Sequence, residues 1–260
     1  MKLKMKYLSL LLLNILFIGT GFICAKSIGS GDNSPLPDKR PDDIRFSYSQ
    51  SGGMMYYSEN IFISKDSCYY KINDGGAVTK VYFKMTSAEL DKLYDVFKNN
   101  DFDEIDSYEE KVYDRGGESI SLNWKPGKQV NISNSGMTFI KESWQKEWNA
   151  CSNAIETIGK SEMEKQKKNY AITFDGSLLG KEIYMQINRD VVVPKSTLMS
   201  ESDLESELQK IVKLSPGWHN ASITIGKSYN TIKINADSTK SLRLFMVNDS
   251  LKHVFTVRNY

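Results

Sequence analysis

Two histidines, three cysteines and one dense run of acids are the residues of this 260-residue chain best equipped for chemistry. His219 stands beside Trp218 after the turn Ser215-Pro216-Gly217, and His253 stands where the last hairpin enters its final strand. Histidine-assisted nucleophilic catalysis needs a hydroxyl within reach and a carboxylate to orient the ring. No Gly-x-Ser-x-Gly elbow supplies that hydroxyl. No Cys-x-x-Cys pair occurs and the histidines lack zinc-ligand spacing, so neither a metal nor a cofactor is expected.

The acids are Asp101, Asp103, Glu104, Asp106, Glu109 and Glu110, with Asp114 just beyond. Calcium takes oxygen ligands converging from a loop, but this spacing departs from the Asp-x-Asp-x-Asp-Gly pattern and reads as a solvated loop. Any two carboxylates at a suitable separation would serve glycosidic cleavage. A hydrolase using carboxylates or His219 is therefore the second functional reading of the chain. The first is a non-catalytic module that binds a protein or a glycan. Its candidate contact residues are Tyr56, Tyr57, Tyr69, Trp218 and Tyr229, since aromatic rings stack on sugars and anchor protein contacts. The competing reading of each is a half-buried strand position.

These groups need a compartment. Lys2, Lys4 and Lys6 precede an apolar run over residues 7–23, and small and polar residues follow at Cys24-Ala25-Lys26-Ser27. That order is an export signal, and residues 1–25 are read as a signal peptide. Either Cys24 is lipidated, which would anchor the chain to a membrane, or cleavage after Ala25 frees it. The destination is the periplasm, the outer-membrane surface or the medium. Losing the three lysines takes Lys+Arg from 34 to 31 against 32 Asp+Glu. A net charge of about −1 gives no global field for nucleic acid or for a lipid surface. Cys68 and Cys151 then meet an oxidising setting, as one disulfide or as two buried thiols. A bridge over that span would stabilise by roughly 4 kcal/mol.

The elements follow from periodicity. Residues 26–43 have the Gly, Ser, Asp and Pro content of a flexible tether. Alternation then marks strands around Phe46, Ile61-Phe62-Ile63, Cys68-Tyr69-Tyr70-Lys71-Ile72 and residues 78–83. Thr86 and Glu89 form a capping box for a helix whose stripe is Leu90, Leu93, Tyr94 and Phe97. Lys125-Pro126-Gly127-Lys128 joins two strands of a hairpin. Trp144, Trp148, Cys151, Ile155 and Ile158 share one face of a second helix, which Gly159 should end. Strand parity aligns Cys68 with Tyr70, so both cysteines point inward. Residues 160–169 lack an apolar stripe and serve as a linker or extend that helix. Beyond them, short strands alternate with one helix opened by Ser202 and Glu205, with Leu204, Leu208, Ile211 and Val212 inside.

The series Phe46-Ser47-Tyr48-Ser49-Gln50-Ser51-Gly52-Gly53, then a hairpin, then Met85-Thr86-Ser87-Ala88-Glu89-Leu90 with Phe97 and Phe102, resembles an uncharacterised domain of exported bacterial proteins and lipoproteins. The resemblance covers residues 44–159 and implies no activity or site. Leu214-Ser215-Pro216-Gly217-Trp218-His219 resembles the strand-entry turn of small transthyretin-like sandwich modules. The expected fold is α+β: an antiparallel sheet packed by two helices over 44–159, a linker at 160–169, and a smaller β-sandwich-like domain with one helix over 170–260. Hairpin-length connections throughout exclude a parallel βαβ order.

Overall fold

The computed structural model describes residues 33–53, 55–197, 209–238 and 240–257, with the side chain of Met55 excepted. Cys24, the signal segment, the start of the tether and the Ser202–Glu205 capping pair lie outside the described residues.

The first half is built on six antiparallel strands: β1 (Arg45–Gly52), β2 (Met55–Ile63), β3 (Cys68–Asp74), β4 (Ala77–Phe83), β6 (Gly117–Asn123) and β7 (Gln129–Asn134). Their order is β4-β3-β2-β1-β6-β7. Short strands β5 (Ser107–Glu109) and β8 (Thr138–Ile140) pair separately. Alternation sends Phe46, Ile61, Tyr70, Val81, Ile120 and Ile132 into one core, where side chains of α1 (Ser87–Asn99) and α2 (Gln145–Lys165) meet them. The Thr86–Glu89 capping box opens α1. Gly127 takes φ +77° in the β6–β7 turn, a conformation that suits glycine.

The second half holds two four-stranded sheets, β11-β10-β13-β14 and β12-β9-β15-β16. Their strands are β9 (Lys168–Phe174), β10 (Glu182–Ile187), β11 (Asp190–Thr197), β12 (Gln209–Leu214), β13 (Trp218–Ile225), β14 (Ser228–Asn235), β15 (Lys240–Val247) and β16 (Ser250–Val257). Residues such as Ile172, Met185, Ile223, Ile234 and Leu244 from both sheets fill one core between them.

The α+β expectation is corrected. Among the described residues, strand covers 52% and helix 20%, in four sheets with two helices, and the fold is β-sandwich-like rather than a helix-packed sheet. One physical reason lies at Ile211 and Val212, which the sequence reading gave to a helix. They belong to β12, which pairs along its length with β9, leaving Ile211 exposed while Val212 is buried. The second sheet also contains a parallel pair, β9 with β15, registering Leu242 with Ile172 and Leu244 with Phe174. The long chain between them supplies the crossover that hairpins cannot.

Three local expectations change as well. Gly159 does not end its helix. It lies where a Cβ would come within 2.8 Å of Ile61 Cδ1, so its role is close helix–sheet approach. The helix continues to Lys165, with Met163 buried, and β9 starts at Lys168, so residues 160–169 are mostly regular structure. The described part of the expected tether is docked. Leu36 is buried, its N–H donates to Asp103 (2.8 Å), and Tyr94 donates to the Pro37 carbonyl (2.5 Å). Arg40 pairs with Asp91 at 2.6 Å. One buried leucine and the bonds made by Leu36, Pro37 and Arg40 outweigh the flexible composition.

The halves meet at the β4 edge. Thr79 bridges to Gly217, the Thr79 hydroxyl donates to the Trp218 carbonyl, and the Asn220 amide donates to the Asp74 carbonyl (2.6 Å). Gly217 has φ +114°, and a Cβ there would come within 2.6 Å of the Val78 oxygen.

Candidate functional site

Period-two alternation gives the six-stranded sheet two chemically opposite faces. The inner parity carries the core. The outer parity carries rows of residues that register across the strands. One row runs Tyr82, Tyr69, Phe62, Ser47, Ser121, Asn131 from β4 to β7. The next runs Lys80, Lys71, Asn60, Ser49, Ser119, Ser133. Tyr82 is 66% exposed, and the other rings and both lysines are half-buried.

The three rings form a ladder. Phe62 and Tyr69 stack with centroids 5.6 Å apart, and Tyr69 meets Tyr82 edge-on at 6.4 Å. Lys80 Nζ lies 4.1 Å from the Tyr69 centroid and 4.5 Å from that of Tyr82, a cation–π arrangement that fixes its charge on the ladder. Beside the rings, Ser47, Ser49, Asn60, Ser119 and Ser121 line a shallow groove of about 110 Å³. Ser49 and Ser119 share one hydrogen bond of 2.7 Å. The edges of these rings next to a field of hydroxyls and amides can pack against an apolar face and hydrogen-bond its polar rim.

Behind this face, the inner parity holds carboxylates with unusual neighbours. Tyr57 and Tyr70 both donate to the buried Glu59, the second at 2.6 Å. Tyr48 donates to Glu156 of α2 at 2.6 Å, and Lys160 pairs with the same carboxylate. Burial, then these bonds, raise the tyrosine hydroxyls above their ordinary range, so they stay protonated donors. Burial and the nearby Glu156 charge raise Glu118, while a hydrogen bond from Trp148 opposes the shift. The acids are thus spent on tyrosines, a tryptophan and a lysine.

The five candidate aromatics are dispersed. Tyr69 is central to the ladder, and the exposed Tyr56 shares the outer parity of Phe62 six residues away. Tyr57 faces inward to Glu59, with the Arg189 guanidinium 4.2 Å from its ring centroid. Trp218 lines a groove of about 230 Å³ with Tyr170, Lys233 and Phe255 in the second half. Tyr229 lies exposed on β14 beside Thr231. Phe62, Tyr82, Lys71 and Lys80 were missed. Their signal is an aromatic or lysine between inward apolar residues, but only register aligns them.

His219 is 2% exposed and both ring nitrogens are engaged, Nε2 with the Ser215 carbonyl (2.8 Å) and Nδ1 with the Asn188 side-chain amide (2.9 Å). A carbonyl only accepts, so Nε2 carries the proton and Nδ1 accepts from Asn188. Burial lowers its pKa, and the ring ties β13 to the preceding turns. His253 is exposed, with its ring 5.7 Å from that of Phe255. In the acidic run, Asp103 holds the Leu36 amide and Asp106 pairs with Lys141.

The disulfide expectation is corrected. Cys68 and Cys151 are separate buried thiols. Cys68 Sγ is turned to the backbone of Ser64, donating to its carbonyl at 3.3 Å. Burial raises both thiols, Cys151 to about 12, which withholds the thiolate that oxidation requires.

No family model, curated protein or solved structure matches the chain.

Proposed function

We propose that the protein is an exported, non-catalytic module of the cell envelope that binds a glycan across the open face of its six-stranded sheet. The observation that carries this reading is the Tyr82–Tyr69–Phe62 ladder continuing in register into Ser47, Ser121 and Asn131. Sugar rings present an apolar C–H face and a polar rim, and this surface offers a partner to each. A protein partner would be better matched by an apolar patch with a polar rim. Here the apolar surface is a single row at one side of a serine and asparagine field. Export rests on the lysine-rich start and the apolar run over residues 7–23.

Affinity electrophoresis through gels carrying dextran, mixed-linkage β-glucan, polygalacturonate or alginate tests the reading. Retardation by at least one polysaccharide is expected, together with a loss of roughly tenfold or more in Tyr69→Ala, as for an aromatic anchor. Circular dichroism of the variant controls for folding. Retardation by none of the four, or retardation unchanged in folded Tyr69→Ala, overturns it.

A further inference from the structure

Charge is sorted across the six-stranded sheet without exception. Its strands carry three carboxylates, Glu59, Asp74 and Glu118, and all three occupy inner-parity positions. They carry three cations, Arg45, Lys71 and Lys80, and all three occupy outer-parity positions. A chain with nearly equal numbers of acids and bases has no compositional reason to separate them so.

The inner acids face the tyrosines and the lysine of α2 described above, and Asp74 faces Arg189 at 3.9 Å. Among the described residues, neither Lys71 nor Lys80 has a carboxylate within ion-pair distance. At the far corner, Arg45 shares a groove with Asp43, whose carboxylate accepts the Lys125 N–H (3.0 Å). The cations of the sheet that stand next to the ladder without an ion pair are therefore Lys71 and Lys80. The pair registers as cross-strand neighbours. Like charges directly opposite each other destabilise a sheet. An anion between them would relieve that repulsion.

Resting on the glycan reading above, we infer that the bound polysaccharide is acidic, bearing carboxylate groups along its backbone. A sugar ring lies along the solvent-facing edges of Tyr69 and Phe62, whose faces are taken up by each other and by Lys80, while its carboxylate lies toward Lys80 and Lys71. The lysine on the ladder places the positive charge where the ring of a uronate would hold its negative one.

Polygalacturonate and its fully methyl-esterified form share one backbone and differ in charge, so they isolate the inference. Retardation of the purified full chain by polygalacturonate should exceed that by the ester about tenfold or more. It should weaken as salt rises from 50 to 500 mM, because screening reaches partly exposed charges. Lys80→Gln and Lys71→Gln should each weaken polygalacturonate binding several-fold more than they weaken binding to the ester. Equal or stronger binding of the ester, or salt-independent binding, overturns the acidic preference while the glycan reading stands. Binding of neither form, with dextran, β-glucan and alginate also unbound, overturns both. Tighter binding of oligothymidylate through Tyr69, Phe62 and Lys80 would assign the face to single-stranded nucleic acid instead and overturn both.

Discussion

Tyr70 donates its hydroxyl hydrogen to Glu59 at 2.6 Å, and both residues are more than nine-tenths buried. A second tyrosine, Tyr57, donates to the other carboxylate oxygen. A buried carboxylate lacking a cation is tolerable only because both oxygens are satisfied. Tyr70→Phe should destabilise the fold by about 1–3 kcal/mol, the cost of stranding a buried acceptor. Paired with Glu59→Gln in a double-mutant cycle read by urea unfolding, it should show a coupling of about 1 kcal/mol or more. Additive losses would mean that the pair is not a unit.

Glu118 responds to pH in the opposite sense to a salt-bridged acid. Burial and Glu156 raise its pKa above the ordinary 4.5, so the folded state holds its proton to higher pH than the unfolded chain does. Its contribution is fully present below the ordinary glutamate value and is lost as pH rises through the raised one. Glu118→Gln keeps an acceptor for Trp148 and removes the repulsion. A gain of about 0.5–1 kcal/mol at pH 7, with a flatter stability–pH profile above pH 4.5, is expected in urea titrations. Destabilisation at pH 7 would refute the assignment.

His219 has the reverse sign. Its folded pKa is lowered by burial, so the unfolded chain takes up a proton first as pH falls. Stability is present above about pH 6.5 and is lost as pH falls from there through the lowered value. Thermal melts between pH 5 and 8 should show this loss, and His219→Gln should remove that part of the slope whatever its own stability. An unchanged slope in the variant would sink the idea.

Both thiols should resist iodoacetamide in the native protein and react fully in denaturant. Dithiothreitol should leave Tm unchanged, since no bridge exists to reduce. Rapid native alkylation of Cys151, or a Tm several degrees lower in reductant, would contradict the buried-thiol arrangement.

The sequence was legible where local chemistry decides. Thr86 and Glu89 cap each other, and Leu90, Leu93, Tyr94 and Phe97 form the buried stripe of α1, because capping and 3.6-residue periodicity are both short-range. Gly159 was misread because a helix-ending glycine and a close-packing glycine look alike until Ile61 is placed beside it. Ile211 and Val212 fit a helical stripe as well as a strand, and only pairing with β9 distinguishes the two. The ladder was half visible. Tyr69 was a candidate for its ring, but Phe62 and Tyr82 join it through strand register, a relation between distant segments. The sorted charges were hidden for the same reason.

The parallel pairing of β9 with β15 also sets an order on how the molecule matures. A chain is made from its N-terminus onward, and the described strands and helices of the first half lie within residues 33–165. That half can close before the rest has been synthesised. β9 emerges next, but its neighbour β15 follows only at Lys240–Val247, about 65 residues later. Until then one edge of β9 is open to another chain. Truncations that stop short of β15 should leave the first half native while exposing a sticky strand, so β15 acts as the seal on the open edge of β9.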